Sequence, residues 1–323
     1  MKQPKNIRFG LACAVGAQVM WGLFPIYIKF LDTVSPPDIV AHRIVWSFVF
    51  LIGLFGAALL YPTPLLPNPK DLAGAFANKK TVGLFALAAT LIATNWLVFV
   101  WAVSRGQTLD ASLGYYICPQ VVVLLGVVFL RERLSPIQWS AIVMAACGVG
   151  YIMSSSTNAS PETIEAGTAW ASKLISVVIA LSFGFYALVK KQTKLSALSG
   201  LTCETGILLF PALIFFAWGL STAKGVVFLD SWQMNLLLLG LGPATIAPLA
   251  LYATALKHVK LSTVGLLQFL GPSIQFTVGI FVLGEQFDVT RLIGFSLVWV
   301  GIGLYLYALR QTVQAAPQSG DHS

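Results

Sequence analysis

Residues 118–139 read "CPQVVVLLGVVFLRERLSPIQW", and residues 271–292 read "GPSIQFTVGIFVLGEQFDVTRL". Laid over one another at a constant offset of 153, Pro119 meets Pro272 and Glu132 meets Glu285. The same register carries Gly148 and Gly150 onto Gly301 and Gly303. Apolar residues coincide cheaply in any two hydrophobic stretches. A proline, a glutamate and two glycines that keep one register across a helix pair mark a duplication. Runs such as "QVVVLLGVVFL" do not alternate between apolar and polar positions, as the strands of a membrane β-barrel must.

Working outward, the whole chain has this character. It is 323 residues long, 57% hydrophobic and 10% charged, with a mean hydropathy of +0.81. A soluble domain carries about 25% charged residues, so this surface does not face water. A bilayer core about 30 Å thick takes roughly 20 apolar residues per helical span. Ten such runs are present: 9–30, 39–60, 82–103, 111–130, 136–153, 170–189, 201–220, 234–256, 261–283 and 291–309. The fold expected is an all-α polytopic membrane protein of ten transmembrane helices. The first run starts from Lys2, Lys5 and Arg8 but is too long, and lacks the small-residue cleavage pattern, for a signal peptide.

The duplication divides the chain into a first five-helix repeat (6–153), a polar extracytoplasmic linker (154–168, including "SSSTNASPETIEAG"), a second five-helix repeat (169–310) and a disordered tail (311–323). Five is odd, so the second copy threads the membrane in the opposite sense. Inverted repeats of this kind are a recurrent transporter design, with the substrate site near the midplane where the repeats meet. Charge sets the orientation. With the amino terminus inside, 14 of the 20 Lys and Arg residues fall on the cytoplasmic side, among them Arg131, Arg133, Lys190, Lys191, Lys257 and Lys260. Acidic residues such as Asp32, Asp38, Asp110, Glu162, Glu285 and Asp288 lie outside. Both termini are therefore expected in the cytoplasm. Cytoplasmic loops account for the net charge of +8, and no nucleic-acid partner is needed to explain it.

Prolines point to the site. A proline inside a helix leaves the carbonyl four residues earlier without its donor. Pro119 releases Tyr115, Pro272 releases Gln268 and Pro25 releases Trp21. Helices broken at corresponding places in both halves are the best pointer in a sequence to a transporter site. Around the expected breaks stand Tyr115, Tyr116 and Gln120 in the fourth run, and Gln268 and Gln275 in the ninth. Trp21, Phe24, Trp46, Asn95 and Trp96 lie deep in other runs, where an interfacial belt does not explain the tryptophans. Together they describe an aromatic pocket with a few polar groups, suited to a partly aromatic or amphipathic small molecule. The competing reading is that the prolines are ordinary kinks of membrane helices.

Three ionisable residues sit inside runs: His42 and Arg43 in "AHRIVW", and Glu204 in "LTCET". Such groups are functional candidates by default. Gating or proton coupling is the role assigned to them, with His42 and Glu204 as the proton carriers. Arg43 and Glu204 each lie roughly 6 Å below opposite surfaces, which leaves on the order of 18 Å of depth between them. They are expected not to pair. The bland alternative takes Arg43 up to Asp38 or Asp32 and Glu204 down to Lys190 or Lys191. The four cysteines, Cys13, Cys118, Cys147 and Cys203, fall in different runs without a CxxC pair and read as packing residues. No metal site or cofactor is called for. Small residues at Ala146, Gly150, Gly301 and Gly303 pack helices within the protomer or join two protomers as a homodimer, the first being favoured.

"WGLFP", "HRIVWSF", "NWLVFVWAV", "ASLGYYICP" and "QFLGP", in that order, resemble the RarD subfamily of the EamA branch of the drug/metabolite transporter superfamily. The resemblance covers about residues 6–310. It implies a permease of the bacterial inner membrane with ten helices and both termini inside. It carries over His42, Arg43, Trp46, Asn95, Trp96, Tyr115, Pro119, Glu204, Gln268 and Pro272. Where that family tends to have Ile-Asn-Pro, this chain has Ile117-Cys118-Pro119, so an amide is missing there. The function implied is a secondary transporter, an exporter of small metabolites or drugs such as amino acids or amphenicol-like compounds. It would work by alternating access within a lipid bilayer, with protons as the coupling ion. Two rivals stay open, a flippase and an intramembrane enzyme, both acting on a lipid-linked substrate. The few histidines and the lack of a carboxylate cluster weigh against the enzyme.

Overall fold

The computed structural model describes residues 6–60, 78–104, 108–156, 166–221, 231–282 and 289–314. Among them are eleven helices and no strand. The first half holds α1 (Ile7–Lys29), α2 (Pro36–Leu60), α3 (Lys79–Ser104), α4 (Thr108–Leu130) and α5 (Pro136–Ser156). The second holds α6 (Ala166–Gln192), α7 (Ala197–Ser221), α8 (Trp232–His258), the short α9 (Leu261–Leu267), α10 (Leu270–Phe281) and α11 (Val289–Gln314). The ninth span is thus made of two helices. Among the described residues nine spans are long and apolar enough to cross a membrane, counting Leu261–Phe281 as one, and the described apolar part of α4 covers Gly114–Leu130.

Polar caps punctuate the apolar runs. Asn6 accepts from the Phe9 amide at 3.0 Å to start α1, and Ser231 accepts from the Met234 amide at 3.2 Å to start α8. Ser135 and Gln138 form a reciprocal capping box ahead of α5, at 2.9 and 3.3 Å. Arg131, with φ of 52°, ends α4 in the left-handed conformation.

The packing repeats about a pseudo-twofold axis. α1 packs on α8 as α6 packs on α3, and α4 packs on α6 as the ninth span packs on α1. α2 meets α7, α4 meets α9 and α5 meets α11, each the pairing of one helix with its own counterpart. Large apolar side chains point outward, Phe281 at 81% exposure and Leu60 at 76% among them. Such a surface is stable only with lipid as its solvent. Trp218 and Trp232 stand exposed near helix ends, as an interfacial belt requires. The chain is a multi-pass membrane protein.

Some expectations need correcting. α1 runs through Pro25 and α4 through Pro119 without interruption; a break occurs only in the ninth span, where residues 268–269 form a turn just ahead of Pro272. The expected tail begins late, because α11 continues to Gln314. α5 and α6 likewise take both ends of the expected linker, and residues 157–165, Glu285 and Asp288 lie outside the described residues. The small-residue face divides. Gly301 packs against Ala141, where an added Cβ would lie 2.7 Å from the carbonyl oxygen, whereas Gly150 and Gly303 have nothing within 4 Å.

Candidate functional site

A cavity of about 540 Å³ lies between the two repeats. α1, α2, α3 and α4 contribute to it from the first half; α6, α8 and the ninth span contribute from the second. Pro36, Ile39 and Val40 at the start of α2, with Ile28 near the end of α1, line it at one end of the bundle.

Most of the expected side chains meet there. Trp21, Phe24, Asn95, Trp96, Tyr115 and Tyr116 line the cavity from the first repeat. Gln268 and Gln275 line it from the second, and Pro25, Pro119, Pro272 and Arg43 are also in its wall. Four expected residues are elsewhere. Trp46 donates from Nε1 to His42 Nδ1 at 3.1 Å, one helical turn away. His42 is buried with its ring 4.8 Å from that of Phe216 on α7. Gln120 turns its amide back to the carbonyls of Tyr116 and Ile117, both at 2.9 Å. Glu204 pairs with Lys190 at 2.6 Å and accepts from the Tyr186 hydroxyl at 3.1 Å, all three buried. Arg43 and Glu204 are therefore apart, and Lys190 is one of the two partners foreseen for the carboxylate. Asp38 is held by Ser35 at 2.5 Å, not by Arg43.

Two of the three released carbonyls do not stay open. Gln275 Nε2 donates to Trp21 O at 3.1 Å, which replaces the donor that Pro25 lacks. Gln268 O accepts from the Gly271 amide at 3.2 Å through the tight turn. Asn95 is equally committed. Its Nδ2 donates to Ile179 O at 2.9 Å and Ser182 Oγ at 3.2 Å, and its Oδ1 accepts from the Tyr115 hydroxyl at 3.0 Å. It locks α3 to α6 and α4.

Arg43 is placed differently. Its Nε donates to Thr245 Oγ1 at 3.1 Å. Its guanidinium lies 4.6 Å from the Trp96 ring centroid and 5.2 Å from that of Phe24, a cation between two aromatic faces. Arg43 is the eighth residue of the 25-residue α2, and Glu204 is the eighth residue of the 25-residue α7. Since α2 and α7 are counterparts, the two ionisable residues occupy equivalent places with opposite charge.

Sequence reasoning missed Gln18, Phe183 and Leu249 in the wall. Gln18 is three residues before Trp21, on the same helix face, and that spacing was a usable signal. Phe183 and Leu249 stand in uniformly apolar helices and give none. Trp21, Phe183 and Tyr252 pack their rings 5.5–6.0 Å apart, and Phe183 meets Tyr186 at 5.7 Å. This aromatic floor separates the cavity from Glu204.

Beyond the floor the bundle is tied shut. Lys191 donates to Leu256 O and Val259 O at 2.8 and 2.5 Å, Lys257 to Leu195 O, and Lys260 to Arg133 O at 3.0 Å. Glu132 crosses between the repeats and caps α9, accepting from the amides of Leu261 and Ser262 at 2.7 and 2.9 Å and from Ser262 Oγ at 2.6 Å. Among the described residues no group of three His, Cys, Asp or Glu is placed to hold a metal.

Comparison with known proteins agrees with this architecture. The profile of the EamA-like transporter family matches residues 8–154 and 163–307. An uncharacterized transporter of Vibrio cholerae is 36% identical over 93% of this chain and 93% of its own. Protein RarD of Escherichia coli is 31% identical over 95% of this chain and 98% of its own. A chloramphenicol-sensitive protein RarD of Pseudomonas aeruginosa is 28% identical over 91% and 92%. One protein of known crystal structure superposes with a TM-score of 0.70 over 94% of this chain and 98% of that one; at 15% identity it shows the fold alone. The resemblance drawn from the sequence motifs is borne out: the chain belongs to the EamA-like transporter family, in its RarD subfamily.

Proposed function

We propose that the protein is a secondary carrier of the bacterial inner membrane, moving small metabolites or drugs by alternating access around the inter-repeat cavity. The observation that carries this reading is the cavity itself, built from both repeats, reaching one end of the bundle and sealed at the other. With the lysine-rich end in the cytoplasm, both termini lie inside and the state seen is outward-facing. Turnover then opens the ties around Glu132 and the lysines and closes the rim around Ile28, Pro36 and Ile39. The reading includes export, with amino acids and amphenicol-like compounds as cargo. A relative named chloramphenicol-sensitive supports the drug arm, and relatives named transporters support a carrier over an enzyme. Proton coupling through Glu204 and His42 is part of the same proposal.

The test is uptake by proteoliposomes of labelled amino acids, aromatic metabolites and amphenicols, with and without a pH gradient. Saturable uptake that the gradient drives supports a proton-coupled carrier. Absence of uptake for the whole panel under both conditions removes those substrates and moves lipid-linked cargo to the front.

A further inference from the structure

We infer that the cavity takes an organic monoanion with an aromatic or apolar body, its carboxylate seated on the Arg43 guanidinium. This deepens the carrier reading and rests on it. Three features of the site lead there.

The first is an uncompensated charge. The Lys190–Glu204 contact is the one ion pair found among the described residues, and no described residue of the cavity wall is acidic. Thr245 holds Nε, and the rings of Phe24 and Trp96 stand 5.2 and 4.6 Å from the guanidinium carbon. Its terminal nitrogens make no hydrogen bond with the described protein. A planar fork with free, parallel N–H groups fits a carboxylate in a two-point contact. The wall contains no second cation among its described residues, so a dianion would exchange one unbalanced charge for another.

The second feature is the surrounding surface. Trp21, Phe99 and Tyr115 continue the aromatic wall beside Phe24 and Trp96, which suits a flat apolar body. The Asn95 amide and one N–H of Gln275 are engaged with the protein's own groups, and the guanidinium is the one charged contact that the described wall offers.

The third is the pseudo-symmetry. Glu204, the counterpart of Arg43, is buried at the sealed end and has Lys190 against it. When the rim around Ile28, Pro36 and Ile39 closes, Arg43 is shut in with whatever the cavity holds. A buried charge that lacks its partner is strongly destabilising. Closure around a neutral ligand strands the guanidinium, whereas closure around an anion neutralises it. The anion is the counter-ion that no described residue of the cavity wall supplies. This narrows the proposed cargo: an uncharged amphenicol binds more weakly than a carboxylate of similar size.

The test uses the purified full chain in nanodiscs and three isosteric probes: 3-phenylpropanoate, 3-phenylpropanol and 3-phenylpropylamine. Quenching of intrinsic tryptophan fluorescence reports binding beside Trp21 and Trp96. The acid is expected to bind saturably and at least ten-fold more tightly than the alcohol, with the amine weakest. Arg43→Gln should bring the acid-to-alcohol ratio near one, and Arg43→Lys should restore part of it. Equal binding of acid and alcohol by the wild-type chain, preference for the amine, or no saturable response to the acid overturns the proposal without any variant. So does an acid preference that survives Arg43→Gln. The carrier reading has a separate readout, the alternating accessibility of the two ends, described below. A chain that alternates but shows no acid preference loses only the anion assignment.

Discussion

Gln275 reaches across the repeat interface to a carbonyl that Pro25 has released, so the two residues depend on each other. Pro25→Ala returns an N–H to the helix and competes for Trp21 O. Interhelical hydrogen bonds in membranes average about 0.6 kcal/mol. Gln275→Leu should therefore cost about that much in the native background and close to nothing beside Pro25→Ala. A double-mutant cycle of unfolding free energies in detergent measures the difference. Glu204 is a larger effect. Glu204→Gln leaves the buried Lys190 without its countercharge, and breaking a buried pair costs about 3–5 kcal/mol. Lys190→Met with Glu204→Leu removes both charges and should recover most of that stability, as thermal unfolding would show. Gradient-driven uptake by this double variant, at the wild-type level, would exclude Glu204 as a proton carrier.

At the scale of elements, close approach decides what each position tolerates. A Cβ on Gly148 would lie 2.5 Å from Gly294 O across the α5–α11 contact, while Gly150, one pair of residues along, has nothing within 4 Å. Gly148→Ala should destabilise by about 1–3 kcal/mol through overpacking. Gly150→Ala should be neutral or stabilise by up to about 1 kcal/mol through helix propensity. Comparing the two unfolding temperatures checks the sign. The same contrast shows how far the sequence could be read. It placed the spans, because length and hydropathy suffice for that. It found Trp21, Trp96, Tyr115 and Gln268, because ring and amide groups are conspicuous in apolar runs. It could not choose a helix face. These helices are apolar on all sides, so no amphipathic stripe says that Arg43 looks into the cavity while its neighbour His42 looks at Phe216. Nor did it show that Glu132, noticed only for its register with Glu285, caps a helix of the other repeat.

The whole molecule is two packed halves with a cavity that reaches one end, and the predictions at this scale concern which end is open. In a cysteine-free background, Val40→Cys in the cavity wall should react with a membrane-impermeant thiol reagent, and Leu256→Cys, buried at the sealed end, should not. Glu132→Ala removes the cap from α9 and should reverse the pattern in part, lowering labelling at position 40 and raising it at 256. Unchanged labelling at both positions would mean that the Glu132 cap does not hold the sealed end closed. The seal has one more consequence. Lys191, Lys257 and Lys260 all donate to backbone oxygens, those of Leu195, Leu256, Val259 and Arg133. A main-chain acceptor survives almost any change of its side chain. For these four bonds the lysine must be kept while the side chain of the accepting residue need not be, so Leu256 and Val259 are constrained by their burial in the core and not by the lysines they receive.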